Sequence, residues 1–148
     1  MASVTFDLNK MKDGDRCGFA AFNGHSGLLT IARNDKDLTL TQSNTVVNLT
    51  DRDKAVTSVD EDIIETVTLE AKTVSLRIDA DFTPGKDIAT FYYKVGNGEW
   101  HKIGKPYKMR FDYRRLFMGT RYAIFNYATK QSGGYVDIDS FNYHLLRK

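Results

Sequence analysis

The stretch VSLRIDADFTPGKDIATFYYKVGNGEWHKI, residues 74–103, decides the fold. Apolar and polar side chains alternate in VSLRIDADF and again in IATFYYKV, and both runs are rich in β-branched and aromatic residues, which is the pattern of half-buried strands. Between them stands Thr83-Pro84-Gly85-Lys86, whose Pro-then-Gly order is that of a type II turn. A second reversal follows at Gly96-Asn97-Gly98, which supplies the positive-φ positions a tight hairpin demands before Trp100 opens the next run. Three antiparallel strands are predicted from this stretch alone.

Working outward, the same alternation predicts strands at Val4 to Leu8, Cys17 to Asn23, Leu28 to Arg33, Leu38 to Gln42, Ile64 to Glu70, Val74 to Phe82, Ile88 to Val95, Trp100 to Ile103, Arg121 to Ala128 and Tyr135 to Leu145. Lys12-Asp13-Gly14-Asp15 marks one more tight reversal. The polar segment from Asn44 to Glu61, with its run Asp51-Arg52-Asp53-Lys54, reads as a long surface loop or a ragged edge strand. No segment carries the 3.6-residue period of an amphipathic helix. The expected fold is all-β, a two-sheet antiparallel sandwich formed as a single domain over residues 1–148, and the jelly-roll form of it is what the family resemblance below implies.

A chain of 148 residues can bury a continuous core without staples. Its formal charge of +2 argues against a global electrostatic footprint for nucleic acid. The single cysteine, Cys17, has no partner for an internal disulfide, and its place in Cys17-Gly18-Phe19-Ala20 reads as a small buried hydrophobe. No apolar run approaches the roughly 20 residues needed to span a bilayer, so no membrane partner is expected. MASVTF at the start has neither the basic nor the apolar region of a signal peptide.

Enzymatic chemistry finds little support. Asp79 with Asp81, and Asp137 with Asp139, stand two apart on predicted strands, so each pair is expected on one sheet face, whereas glycoside hydrolysis wants carboxyl groups on opposite sides of the scissile bond. Asp137 and Asp139 are the better candidates for hard oxygen ligands to calcium. His25, His101 and His144 share no zinc spacing, Ser26 lacks the context of a hydrolase elbow, and no nucleotide-binding glycine motif occurs. The stretch from Tyr107 to Tyr143 instead suggests a binding surface, because its aromatic faces and its Arg, Asn and Asp side chains suit sugars as well as bases. Arg110, Arg114 and Arg115 either contact a ligand or pair with Asp112. Trp100 either offers its face to solvent or, as the more usual fate of tryptophan, plugs the end of the core. Period-2 alternation sends Tyr92 and Tyr93 to opposite faces, and likewise Phe125 and Asn126.

The runs MKDGDRCGFAAFNGHSGLLT, LRIDADF, ATFYYKVGNGEWHKIG, MRFDYRRLFMGTRYAIFNYATK and GGYVDIDSFNY resemble the C-terminal concanavalin A-like β-sandwich appended to family 43 glycoside hydrolases, the β-xylosidases and α-arabinofuranosidases. The resemblance covers nearly the whole chain. It implies a non-catalytic accessory module whose acid and base residues lie on a separate propeller domain. Related domains usually begin one strand earlier than Val4 to Leu8. It implies a possible structural calcium at Asp139 with Asp137, and no other cofactor. It also implies a monomeric carbohydrate-binding module for xylan, arabinoxylan or another hemicellulose, partnered by a catalytic glycoside hydrolase domain in a secreted, periplasmic or cell-surface bacterial enzyme. The expected sugar-contacting residues are Asn23, His25, Tyr92, Trp100, Arg110, Tyr113 and Asn126, with MGTRYAIFNYA serving largely as core-facing framework.

Overall fold

The computed structural model describes residues 1–115 and 118–145. Ten strands follow one another: β1 Ala2–Asp7, β2 Asp15–Phe22, β3 His25–Asn34, β4 Asp37–Leu49, β5 Val56–Leu69, β6 Thr73–Asp81, β7 Ile88–Val95, β8 His101–Lys108, β9 Arg121–Ala128 and β10 Asp137–Tyr143. They form two five-stranded sheets, β10-β1-β6-β7-β8 and β5-β4-β3-β2-β9, antiparallel at every pairing. The predicted type II turn is present: the Lys86 N–H donates to the Thr83 carbonyl at 2.8 Å, and Gly85 holds a φ of 86° that a side chain would resist.

Alternation along each strand builds the core. Val4 and Phe6, Cys17 and Phe19, Leu29 and Ile31, Leu38 and Leu40, Leu76 and Ile78, and Phe91 all face the interior and are buried. Cys17 behaves as predicted: it is fully buried, and burial, with the Asp15 charge, pushes its thiol up to about 12. Phe19 stacks on Tyr122 at 5.6 Å and meets Phe141 edge-on at 6.2 Å, joining β2 to the two C-terminal strands.

Three expectations are settled or corrected. Of the two readings of Asn44 to Glu61, the ragged edge strand holds and the loop does not: the segment is the upper half of a long β4–β5 hairpin, paired as far as Leu49 with Val56, with β5 at the sheet edge and register shifts along it. The β-branched residues Thr45, Val46, Val47, Val56, Thr57 and Val59 sustain the ladder, and the charges that suggested a loop occupy only the tip, residues 50–55. Acidic side chains along β5 then suit an edge strand, where they discourage pairing with another chain. Second, Trp100 does not plug the core; it lies at the outer face of the first sheet beside Arg77. Third, Asp137 and Asp139 do not share a face, because β10 bulges: Ser140 pairs with Thr5 and Ile138 with Phe6, leaving Asp139 as the extra residue.

The sequence-based framework role of β9 holds for alternate residues only. Tyr122, Ile124 and Asn126 stand opposite the core-facing Ala21, Phe19 and Cys17, while Ala123, Phe125 and Tyr127 lie on the opposite face. β1 takes β10 and β6 as its two neighbours, so it sits inside its sheet.

Candidate carbohydrate-binding groove

The outer face of the second sheet is a groove of about 720 Å³. That volume lies in the range of roughly 300–1,000 Å³ usual for ligand sites. Its origin is visible in the outward positions of the central strands, which carry small or hydroxylated residues: Ala20 on β2, Thr30 and Ala32 on β3, Thr39 and Thr41 on β4, Ala123 on β9. Short side chains leave depth. Larger ones rise at the sides, with Phe22, Phe125 and Tyr127 toward β9 and Val59, Glu61 and Ile63 along β5. Phe125 and Tyr127 lie 6.2 Å apart at 30°, so they present one nearly continuous aromatic wall. Phe125 owes its position to Gly18, its partner across the ladder, where an added Cβ would come within 2.5 Å of the ring. The groove therefore combines aromatic faces with hydroxyl groups and one charge of each sign, Arg16 and Glu61.

The seven expected site residues separate into three places. Asn23, His25, Arg110 and Tyr113 come together at one end of the sandwich, where residues 110–115 lie against the β2–β3 turn. Asn23 is buried and structural: its amide donates to the Met118 carbonyl at 3.0 Å, and its side-chain oxygen accepts from the Gly24 N–H at 2.7 Å. His25, Arg110 and Tyr113 line a cleft of about 430 Å³ with Phe111, Asp112, Arg114 and Arg115. Asp112 is the hub. It accepts from Arg114 at 3.3 Å, forms a short contact with Arg115, and lies 3.9 Å from His25 Nε2. Burial raises its carboxyl, but hydrogen bonds from Arg114 and Arg115 outweigh this and hold it below the usual range. Partial burial depresses the His25 imidazole, helped by the Arg115 and Arg110 charges, so the ring favours its neutral form.

Tyr92 and Trp100 meet on the outer face of the other sheet. The Arg77 guanidinium lies 4.9 Å from the Tyr92 ring centre and 5.7 Å from that of Trp100, and Lys94 lies 5.0 Å from Trp100. Arg77 is itself clamped by both oxygens of Asp79, at 2.8 and 2.7 Å. These aromatic faces are already engaged by cations. Asn126 stands apart on β9, on the side opposite to the groove, and its neighbour Phe125 is the residue that reaches it. Asn126 and the groove-lining Phe125 are one residue apart and on opposite faces, as a period-2 strand dictates.

The groove residues that the sequence-based selection omitted were accessible in principle. Phe22, Thr30, Thr39, Thr41, Phe125 and Tyr127 all occupy outward positions of alternating strands, and small residues repeated on one face are its signal.

For calcium, Asp137 stands opposite Asp7 across the β1/β10 ladder and Asp139 lies in the bulge. Among the described residues no three His, Cys, Asp or Glu side chains gather closely enough to hold a metal ion. Backbone carbonyls would have to supply most of the six to eight oxygens calcium takes.

Comparison with known proteins agrees with this architecture. A family model described as the beta xylosidase C-terminal concanavalin A-like domain matches residues 1–144. Among solved structures, a bifunctional GH43-CE protein of Bacteroides eggerthii superposes with a TM-score of 0.78 at 32% identity, covering 95% of this chain and 16% of the other. A GH43 glycoside hydrolase, engineered at its active site to display both endo-xylanase and exo-arabinofuranosidase activity, superposes with a TM-score of 0.81. It shares 24% identity over 95% of this chain and 28% of its own, a level that speaks to the fold alone. No curated protein sequence matches the chain. With two antiparallel five-stranded sheets and a family match over nearly its whole length, the chain belongs to the β-xylosidase C-terminal concanavalin A-like domain family, an accessory domain of GH43 enzymes and not their catalytic propeller.

Proposed function

We propose that this domain is a non-catalytic carbohydrate-binding module for a plant cell-wall hemicellulose, xylan or arabinoxylan. The observation that carries the reading is the groove on the second sheet, where Phe125, Tyr127 and Phe22 flank a floor of threonine hydroxyls. Pyranose rings stack on the aromatic wall through their C–H faces, while Thr30, Thr39 and Thr41 exchange hydrogen bonds with sugar hydroxyls. A long open groove suits an internal segment of a polymer. No bond is broken in this mechanism, and no release from an aryl glycoside is expected of the isolated domain. Titration calorimetry with xylan, arabinoxylan and mixed-linkage β-glucan tests the reading, with Phe125→Ala/Tyr127→Ala as the paired variant. Binding to a xylan that the double variant abolishes supports it; absence of heat with every polymer at millimolar-range concentrations sinks it.

A second observation favours a packing role beside a GH43 catalytic domain. Where β9 and β10 meet, Ile124, Ile138, Phe141 and Tyr143 remain 39%, 49%, 50% and 56% exposed, an apolar flank larger than scattered surface residues. Replacing Ile138 and Phe141 by serine should weaken association with a separately produced catalytic domain while leaving glycan binding intact. A monomer, and a structural calcium held by Asp139 with backbone carbonyls, belong to the same proposal.

A further inference from the structure

At one end of the groove lies a basic cleft that a neutral glycan does not explain. Three guanidiniums, Arg110, Arg114 and Arg115, surround the single carboxylate of Asp112. Asp112 is engaged by Arg114 and Arg115, and Arg115 is further fixed by donating to the Val47 carbonyl at 2.5 Å. Arg110 is exposed and makes no hydrogen bond or ion pair among the described residues. Phe111 and Tyr113, each 63% exposed, line the same cleft. A neighbouring depression of about 300 Å³ is lined by Arg110, His25 and Thr45, and Thr45 also lines the groove.

A guanidinium with no partner among the described residues, beside aromatic rings and near the proposed glycan groove, has the chemistry to take a planar carboxylate in a bidentate grip. We propose that this cleft binds the carboxylate of a uronic acid carried as a branch on the glycan, with Arg110 as its receptor and Tyr113 against the sugar ring. The inference rests on the reading of the groove as a glycan site, and it makes the ligand a uronate-decorated xylan instead of a neutral one.

The test compares glucuronoxylan, the same polymer after carboxyl reduction, and neutral arabinoxylan, by calorimetry at low and high salt. Wild-type protein is expected to bind glucuronoxylan about tenfold or more tightly than the reduced polymer, as befits a charge-assisted hydrogen-bonded pair. Salt should shrink that advantage. Arg110→Ala should bring glucuronoxylan down to the reduced polymer's affinity, and Arg110→Lys, which keeps charge but not the fork, should fall between. Equal affinity of wild type for the two polymers overturns the uronate assignment and leaves the groove standing. Weaker binding of both polymers by Arg110→Ala, in equal measure, overturns it too. Absence of binding to all three overturns the groove reading together with it. Arg110 has no described partner to lose, so an unchanged melting curve of Arg110→Ala will show that the fold is intact.

Discussion

Gly18→Ala tests how the groove is built. Gly18 lies at the centre of β2 on its outward side, between β3 and β9, and an added Cβ would collide with the Leu29 backbone carbonyl and stand 2.5 Å from Phe125 Cζ. An aromatic ring can swing away, but a carbonyl in a ladder cannot move without lengthening hydrogen bonds. Overpacking costs about 1–3 kcal/mol, and an immovable backbone atom puts this site near the upper figure. For a domain of this size each kcal/mol lowers Tm by about 2–4 °C, so the variant should melt about 6–12 °C below wild type. Phe125 should also leave its place, weakening xylan binding more than its stability loss explains. Calorimetric melting with titration of the folded protein reads both effects. Phe125→Ala in the same chain should recover only a minor part of the lost stability, because the carbonyl clash remains. Gly119→Ala is the control: an added Cβ there meets nothing within 4 Å, and its effect should stay within about 0.5 kcal/mol. A Gly18→Ala protein melting within about 1 °C of wild type would falsify the close-approach account.

Further outcomes follow from other features. Cys17 rises from 9.0 to about 12 and Tyr107 from 10.0 to about 12 on folding, both through burial first. The folded state keeps protons that the unfolded chain releases, so stability is full below pH 9 and is lost as pH rises toward 12. The cysteine's share is up to about 4 kcal/mol at 1.36 kcal/mol per unit. Urea unfolding at pH 8, 10 and 11.5 should show the fall, and Cys17→Ala should flatten its first part; a profile unchanged by that substitution contradicts the assignment. Trp100→Ala should cost at most about 1–2 kcal/mol, since its contacts with Arg77 and Lys94 are partly solvated, and should leave xylan affinity unchanged. Loss of affinity would move the site to the first sheet. If calcium binds at Asp139, saturating ion at about 100 times its Kd raises stability by about 2.7 kcal/mol, and Asp139→Asn removes the gain; a melting curve indifferent to EDTA excludes the site.

Much of the fold was legible in the chain because strand and turn signals are local. VSLRIDADF, IATFYYKV and the turn at Thr83 to Lys86 appear where alternation and turn chemistry put them. The upper β4–β5 hairpin stayed undecided between loop and ragged edge strand, because charge at its tip competes with β-branched residues on either side of it. The site was less legible. His25, Arg110 and Tyr113 of the seven expected residues line one cleft, but the groove needs five strands side by side, and no single strand announces that its small outward residues will meet others of the same kind.

The amino-acid sequence by itself determined the all-β class, the strand count, the burial of Cys17 and the family, because each depends on period, turn residues or string similarity within short windows. Tertiary structure alone decided which face of β9 carries Phe125 and Tyr127, that Arg110 has no partner among the described residues while Arg114 and Arg115 share Asp112, and that the β10 bulge parts Asp139 from Asp137. The reason is register: a period of two turns a shift of one residue into a change of face, and only the pairing of distant strands fixes it.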